Sequence, residues 1–140
     1  MPAEPQAADR HQAFLERALD GRGSSIAALA ALTTLVLKHA AGAGLEQPRA
    51  EHLALAVMAA EEVLHRDGDP DRFRLWSEQG RLVCEIRSST VIQDPLAGRR
   101  PPSMARASLG LWLSNQLCAL VELRSSAAGT VARLHMVVGR

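Results

Sequence analysis

No tyrosine occurs in this sequence of 140 residues, and two phenylalanines and two tryptophans make up its whole aromatic content, 3%. An interior with so few rings has to be filled by Leu, Val, Ile and Ala. At 47% apolar residues there are enough of them for one ordinary core and too few for two. Cysteine is as scarce. Cys84 and Cys118 are the only two, each inside an apolar-periodic segment, which excludes a disulfide framework or a thiolate metal site and leaves two buried free thiols. Lys38 is the single lysine, and the formal charge is +1. A near-neutral chain lacks the phosphate attraction on which nucleic-acid binders rely, so DNA and RNA are set aside as partners. No apolar run is long enough to span a bilayer, the longest uncharged stretch being Gly23 to Leu37. The start, MPAEPQAADRHQ, has neither the basic nor the apolar region of a secretory signal. The expectation is one soluble, cytoplasmic domain over residues 11–140 behind an irregular tail at 1–10, with no membrane contact.

What is present is periodicity. Phe14 to Leu19 fits a turn of helix and an edge strand alike, and strand is the weaker preference. From Ser25 onward Ile26, Leu29, Leu32, Val36 and Leu37 repeat at three and four, Ser24 or Ser25 offers an N-cap, and Gly42 and Gly44 stop the run. Pro48 opens a second helix with Leu53, Val57, Ala60 and Leu64 on one face, broken at Asp67-Gly68-Asp69-Pro70. The period then becomes two. Phe73 and Leu75 alternate with arginines, Gln79-Gly80 makes a turn, and Leu82, Cys84 and Ile86 alternate with Val83, Glu85 and Arg87, a β-hairpin. Residues 88 to about 106 hold three prolines and no period, and the segment from Ser89 to Ala105 is expected to be mobile. A third helix starts near Ser108, with Leu109, Leu113, Leu117 and Leu120 on a stripe and Trp112 and Leu113 as expected core anchors. Val121 to Ser125 and Thr130 to Val138 close the chain as a second hairpin. This order predicts an α+β fold: a two-layer sandwich, its sheet mixed but mostly antiparallel and its helices on one face.

Short motifs contribute little. His65-Arg66-Asp67 spells the tripeptide of a protein-kinase catalytic loop, but the Asn that should follow and the Gly-rich loop upstream are missing. Asp67, Asp69, Asp71 and Glu78 fall at calcium-loop spacing, yet Arg72 stands where that loop needs Gly and Pro70 interrupts it. The five histidines do not cluster. His39 and His65 end helices, where a cation offsets the helix dipole.

Three segments carry a resemblance in order and spacing: Glu51-His52-Leu53-Ala54-Leu55-Ala56-Val57, Asp94-Pro95-Leu96-Ala97-Gly98-Arg99-Arg100, and Gly110-Leu111-Trp112-Leu113-Ser114-Asn115-Gln116-Leu117-Cys118. With the ending Gly129-Thr130-Val131-Ala132-Arg133-Leu134-His135-Met136, the stretch from about Ala40 to Val138 resembles the ATP-binding domains of bacterial anti-sigma regulatory factors. The later segments are very like actinobacterial members. These are serine kinases that share the Bergerat, or histidine-kinase-like ATPase, fold with histidine kinases and gyrase.

The resemblance implies a nucleotide site that this chain does not furnish. Family members carry Asn-Glu-x-x-x-Asn on the second helix, for a base and a magnesium ligand. Those positions here hold Met58, Ala59 and Val63. The adenine-binding Asp-x-Gly is replaced by Ser88 and Thr90, and of the glycine-rich lid that holds phosphates at a helix N-terminus only Gly110 remains. Glu61 or Glu62 could replace the base only with a gap in the match, and a solvated helix face is the favoured reading of both. The implied function is therefore a pseudo-kinase: an anti-sigma-type regulator that holds a sigma factor, an anti-sigma antagonist or another signalling protein without turnover and without a cofactor. The second reading is an active ATP- and magnesium-dependent serine/threonine kinase acting on such an antagonist. Relatives dimerise, and the apolar band of the first helix, with Ala28, Leu32 and Leu35, is the expected partner or homodimer surface.

Overall fold

A computed structural model describes residues 14–18, 26–64, 72–92, 99 and 106–138, with backbone alone at 14–18, 26–29 and 106–109. The tail at 1–10 and most of the Ser89 to Ala105 segment lie outside the described residues, as do Ser24, Ser25, His65 and the aspartates of the calcium-like spacing. Eight elements follow in order: β1 (Phe14–Ala18), α1 (Ile26–Gly42), α2 (Gln47–Leu64), β2 (Arg72–Glu78), β3 (Arg81–Ser88), α3 (Arg106–Leu117), β4 (Leu120–Ser126) and β5 (Gly129–Val137).

The strands form one sheet in the order β1-β2-β3-β5-β4. Every pairing is antiparallel, so the expected mixed component is absent among the described strands. Tight turns make β2–β3 and β4–β5 hairpins, which returns the chain beside itself in the opposite sense. Gln79 and Gly80 form the first turn, both with positive φ. Gly129 opens β5 at φ 134°, and a side chain there would run into the Ser88 carbonyl.

Strand side chains alternate between the two faces of the sheet. On one face Phe73, Leu75, Leu82, Cys84, Ile86, Val121, Ala132, Leu134 and Met136 are buried against the helices. The core stripe of α2 is the one its sequence period predicts, with Leu53, Val57, Ala60 and Leu64 all buried. This is the two-layer α+β sandwich, helices on one side. No helix of the described residues is long and apolar enough to cross a membrane.

Three expectations shift. Glu61 is not on a solvated face but 2% exposed, because it lies four residues after Val57 and three before Leu64, on the stripe that meets the sheet, whereas Glu62 is exposed. Trp112 and Leu113 are only half-buried. The face of α3 that meets the core is Leu111, Ser114 and Cys118, spaced by three and four. Leu32 of α1 is core at 1% exposure, Leu35 is half-buried, and Ala28 carries no described side chain. The outward residues of α1 are small or polar: Ala30, Ala31, Thr34, Lys38 and Ala41. Among its described side chains, from Ala30 on, Leu32 and Val36 are buried and Leu35 and Leu37 half-buried.

Candidate functional site

The positions singled out by sequence gather along one seam where α2 meets α3 and the end of β3. Gly110 is the tightest point. A Cβ there would overlap the Val63 side chain and lie 2.8 Å from the Ala59 carbonyl oxygen, so α3 rests on the α2 backbone at the one residue without a side chain. One turn further along α3, Ser114 is fully buried. Its Oγ donates to the Ala56 carbonyl of α2 at 2.8 Å and lies 3.0 Å from the Gly110 carbonyl of its own helix. Small residues one turn apart let two helix backbones approach, and the hydroxyl links them. The seam therefore brings Ala59, Val63 and Gly110 together. Met58, beside them in sequence, is half-buried.

At the C-terminal end of α2 the last carbonyls need partners. Ser88 and Thr90 supply them: both hydroxyls donate to the Leu64 carbonyl, Thr90 at 2.8 Å, and the Thr90 amide donates to Ser88 Oγ at 3.0 Å. Thr130, also buried, donates from Oγ1 to the Thr90 carbonyl at 2.6 Å and lies 2.9 Å from Ser125 Oγ. The hydroxyls of Ser88 and Thr90 are thus occupied in capping a helix.

Glu61 lies close enough to Cys84 to act on it. Burial first, then Cys118, Glu61 and Glu85, hold the Cys84 thiol well above its usual value, while burial alone pushes Cys118 up to about 12. Both thiols are neutral at physiological pH and shielded, the condition of inert structural cysteines.

The other face of the sheet carries polar residues that no described element covers. Glu85 has no exposed surface, yet it is ionised: burial works to raise its carboxyl, and hydrogen bonds from Arg133 and Arg87 with their charges outweigh that and hold it below the usual carboxylate range. Its oxygens accept from Arg133 Nε at 2.9 Å, Arg87 Nε at 3.1 Å and Arg74 Nη1 at 3.4 Å. Arg74 and Arg133 also lie over the Trp76 ring, 5.4 and 5.6 Å from its centroid, and the indole Nε1 donates to Glu78 at 2.8 Å. Glu78 is thereby a strand residue with a partner in the same strand. Further along, His135 Nε2 is 2.8 Å from Glu122, a contact that lowers the Glu122 carboxyl. Sequence reasoning recorded the alternation of arginine and apolar residues that builds this layer but not its convergence on Glu85, which depends on cross-strand register. For Ser114 and Thr130 the signal available in the sequence is a small polar residue inside an apolar stripe.

Among the described residues no group of three or more His, Cys, Asp or Glu side chains is placed to hold a metal ion.

These layers define the chain by fold as a two-layer α+β sandwich. Among solved structures it is similar to the Acinetobacter baumannii histidine kinase AdeS, with a TM-score of 0.52 at 7% identity, covering 94% of this chain and 72% of that one. At that identity the likeness concerns the fold alone. No family model matches the sequence, and no curated protein does.

Proposed function

We propose that the chain is a regulatory protein-binding domain on the histidine-kinase-like fold that does not turn over ATP, acting in the manner of an anti-sigma factor on a sigma factor, an anti-sigma antagonist or a related signalling protein. The observation that carries this reading is the α2–α3 seam. A nucleotide held by this fold would need a cleft beside the positions of Ala59 and Val63, with a base, a metal ligand and a phosphate cradle around it. Instead Gly110 rests against both residues, Ser114 ties α3 to the Ala56 carbonyl, and Ser88 and Thr90 are engaged with Leu64. Ala59 and Val63 also have no group able to take a proton or ligate magnesium. Glu61, a carboxylate on the core side of α2, is buried and close enough to Cys84 to act on its thiol.

A ligand that binds only the folded state raises the melting temperature in proportion to the logarithm of its concentration over Kd. Millimolar Mg-ATP is expected to leave the thermal midpoint unchanged. A saturable rise would overturn the nucleotide-free reading and favour an active serine/threonine kinase.

A further inference from the structure

Cross-strand register arranges the helix-free face of β2–β5 in rows. Arg124, Val131, Arg87 and Arg72 form one; Glu122, Arg133, Glu85 and Arg74 the next; Leu120, His135, Val83 and Trp76 the third. The first two rows hold five arginines against two glutamates, a net +3 on a chain whose total is +1. Positive charge predominates in these two rows, which β1 continues with Glu16 opposite Arg74.

Both glutamates are committed within the layer, Glu85 beneath the guanidinium groups and Glu122 to His135. Arg87 and Arg133 are each anchored to Glu85 through Nε. Their terminal Nη groups have no hydrogen-bond partner among the described residues, and Arg124 has neither hydrogen bond nor ion pair there. A guanidinium fixed by one edge presents its remaining donors with less entropy left to lose. These three arginines line one depression with Val131 and Glu122, and it continues beside Arg87 and Arg124 to the hydroxyls of Ser125, Ser126 and Thr130.

The same face bears two of the few large apolar side chains left exposed, Leu120 and Val137, at 38% each. Leu120 is four residues from Arg124 on the same strand, on the order of 14 Å at the usual rise of a strand. A surface joining arginines to apolar contacts over that distance has the composition of a protein interface. A bare phosphate would use only its arginine end, and a polyanion such as nucleic acid would find no use for Leu120 and Val137.

We propose that this sheet face docks an acidic, partly apolar segment of the protein partner, with Arg87, Arg124 and Arg133 taking its carboxylates and Leu120 and Val137 its apolar side chains. The inference rests on the binding-domain reading above and adds the surface used and the charge of the partner.

The probe is a fluorescein-labelled synthetic peptide alternating glutamate with leucine, followed by anisotropy at low and high salt. A version with glutamine for glutamate, inorganic phosphate and a random-sequence single-stranded DNA are the comparisons. The acidic peptide should bind at least about tenfold tighter than the glutamine version and weaken with salt. Arg124→Glu should reduce its affinity at least about tenfold, since it reverses a charge that has no hydrogen bond or ion pair among the described residues. Arg124→Lys should retain most of it, and Lys38→Glu, on the outer side of α1, should leave it unchanged. Circular dichroism confirms that each variant folds. The proposal is overturned if the acidic peptide does not bind, if Arg124→Glu binds as wild type does, if millimolar phosphate displaces the peptide, or if the DNA binds more tightly. Mg-ATP stabilisation with peptide binding intact would count against the nucleotide-free reading alone. Loss of peptide binding without an ATP effect would count against this surface alone.

Discussion

Strand β3 places Leu82, Cys84 and Ile86 on one side and Val83, Glu85 and Arg87 on the other, and the two sides are held by different forces. Toward the helices the contacts are apolar and close-packed, with α2 and α3 brought together at Gly110 and Ser114. Away from them a single carboxylate is surrounded by three arginines whose side chains remain one-third to one-half exposed. Packing fixes the first face into one arrangement. The second is held by charge, so it responds to salt and pH and keeps donors for another molecule. On that second face Val83, Glu85, Trp76 and His135 are buried, and the arginine side chains are what remains in contact with water.

The largest expected effect tests the covered face. Ile86 is fully buried, and Ile86→Ala removes its contacts and leaves a cavity, so urea unfolding should show a loss of about 3 kcal/mol. Val131, half-buried on the opposite face, should lose less than about 1 kcal/mol on the change to Ala. Equal losses would mean that both faces are packed alike.

The next concerns the helix seam. Gly110→Ala puts a methyl group against the Ala59 carbonyl and Val63, a helix backbone being the part that has to yield, and should cost about 2 kcal/mol in the same assay. The change is favourable in an isolated helix, so a stabilised variant would show that α3 does not rest on α2 as described.

That seam also marks where the sequence stopped being informative. The elements could be read from it because periods of two and of three to four are local: Leu53, Val57, Ala60 and Leu64 announce the buried stripe of α2 without any knowledge of what covers it. The face of α3 was less legible. Hydrophobicity favours Trp112 and Leu113, but the inward face is chosen by the small residues Gly110 and Ser114, whose value lies in the closeness they permit to a helix about fifty residues earlier in the chain. Glu61 was misread for a related reason, since a carboxylate on a buried stripe looks from sequence like the next solvated position. The Glu85 cluster joins residues from three strands, and its geometry exists only once the register of β2, β3 and β5 is set.

The third effect is pH-dependent. Glu85→Gln keeps the shape and removes the charge that Arg74, Arg87 and Arg133 share. Because those arginines are partly in water, the loss at neutral pH should be about 1 kcal/mol. The folded-state carboxyl lies below its usual 4.5, so its contribution is fully present above about that pH and is lost as pH falls through the folded value. Urea midpoints of the two proteins should therefore differ at pH 7 and converge in acid. A gap that persists unchanged at pH 3 would show that the side chain acts through packing and not through its charge.

The smallest effect carries the sharpest contrast between stability and binding. Arg124 is exposed on β4 opposite Val131, with no ion pair or hydrogen bond among the described residues. It shares one depression with Arg87 and Arg133, which repel it, and with Glu122, which attracts it and whose carboxyl it helps to lower, so the two effects offset. Arg124→Ala should then shift unfolding by no more than about 0.5 kcal/mol in either direction. Arg133→Ala on the neighbouring strand should destabilise instead, because it removes the shortest of the Glu85 hydrogen bonds and one of the two cations above Trp76. If Arg124→Ala costs more than about 1.5 kcal/mol, the side chain is holding the sheet together and its place in a docking surface loses its physical basis. If it is neutral to folding while Arg124→Glu weakens the acidic peptide, the residue is retained for a contact that lies outside this chain.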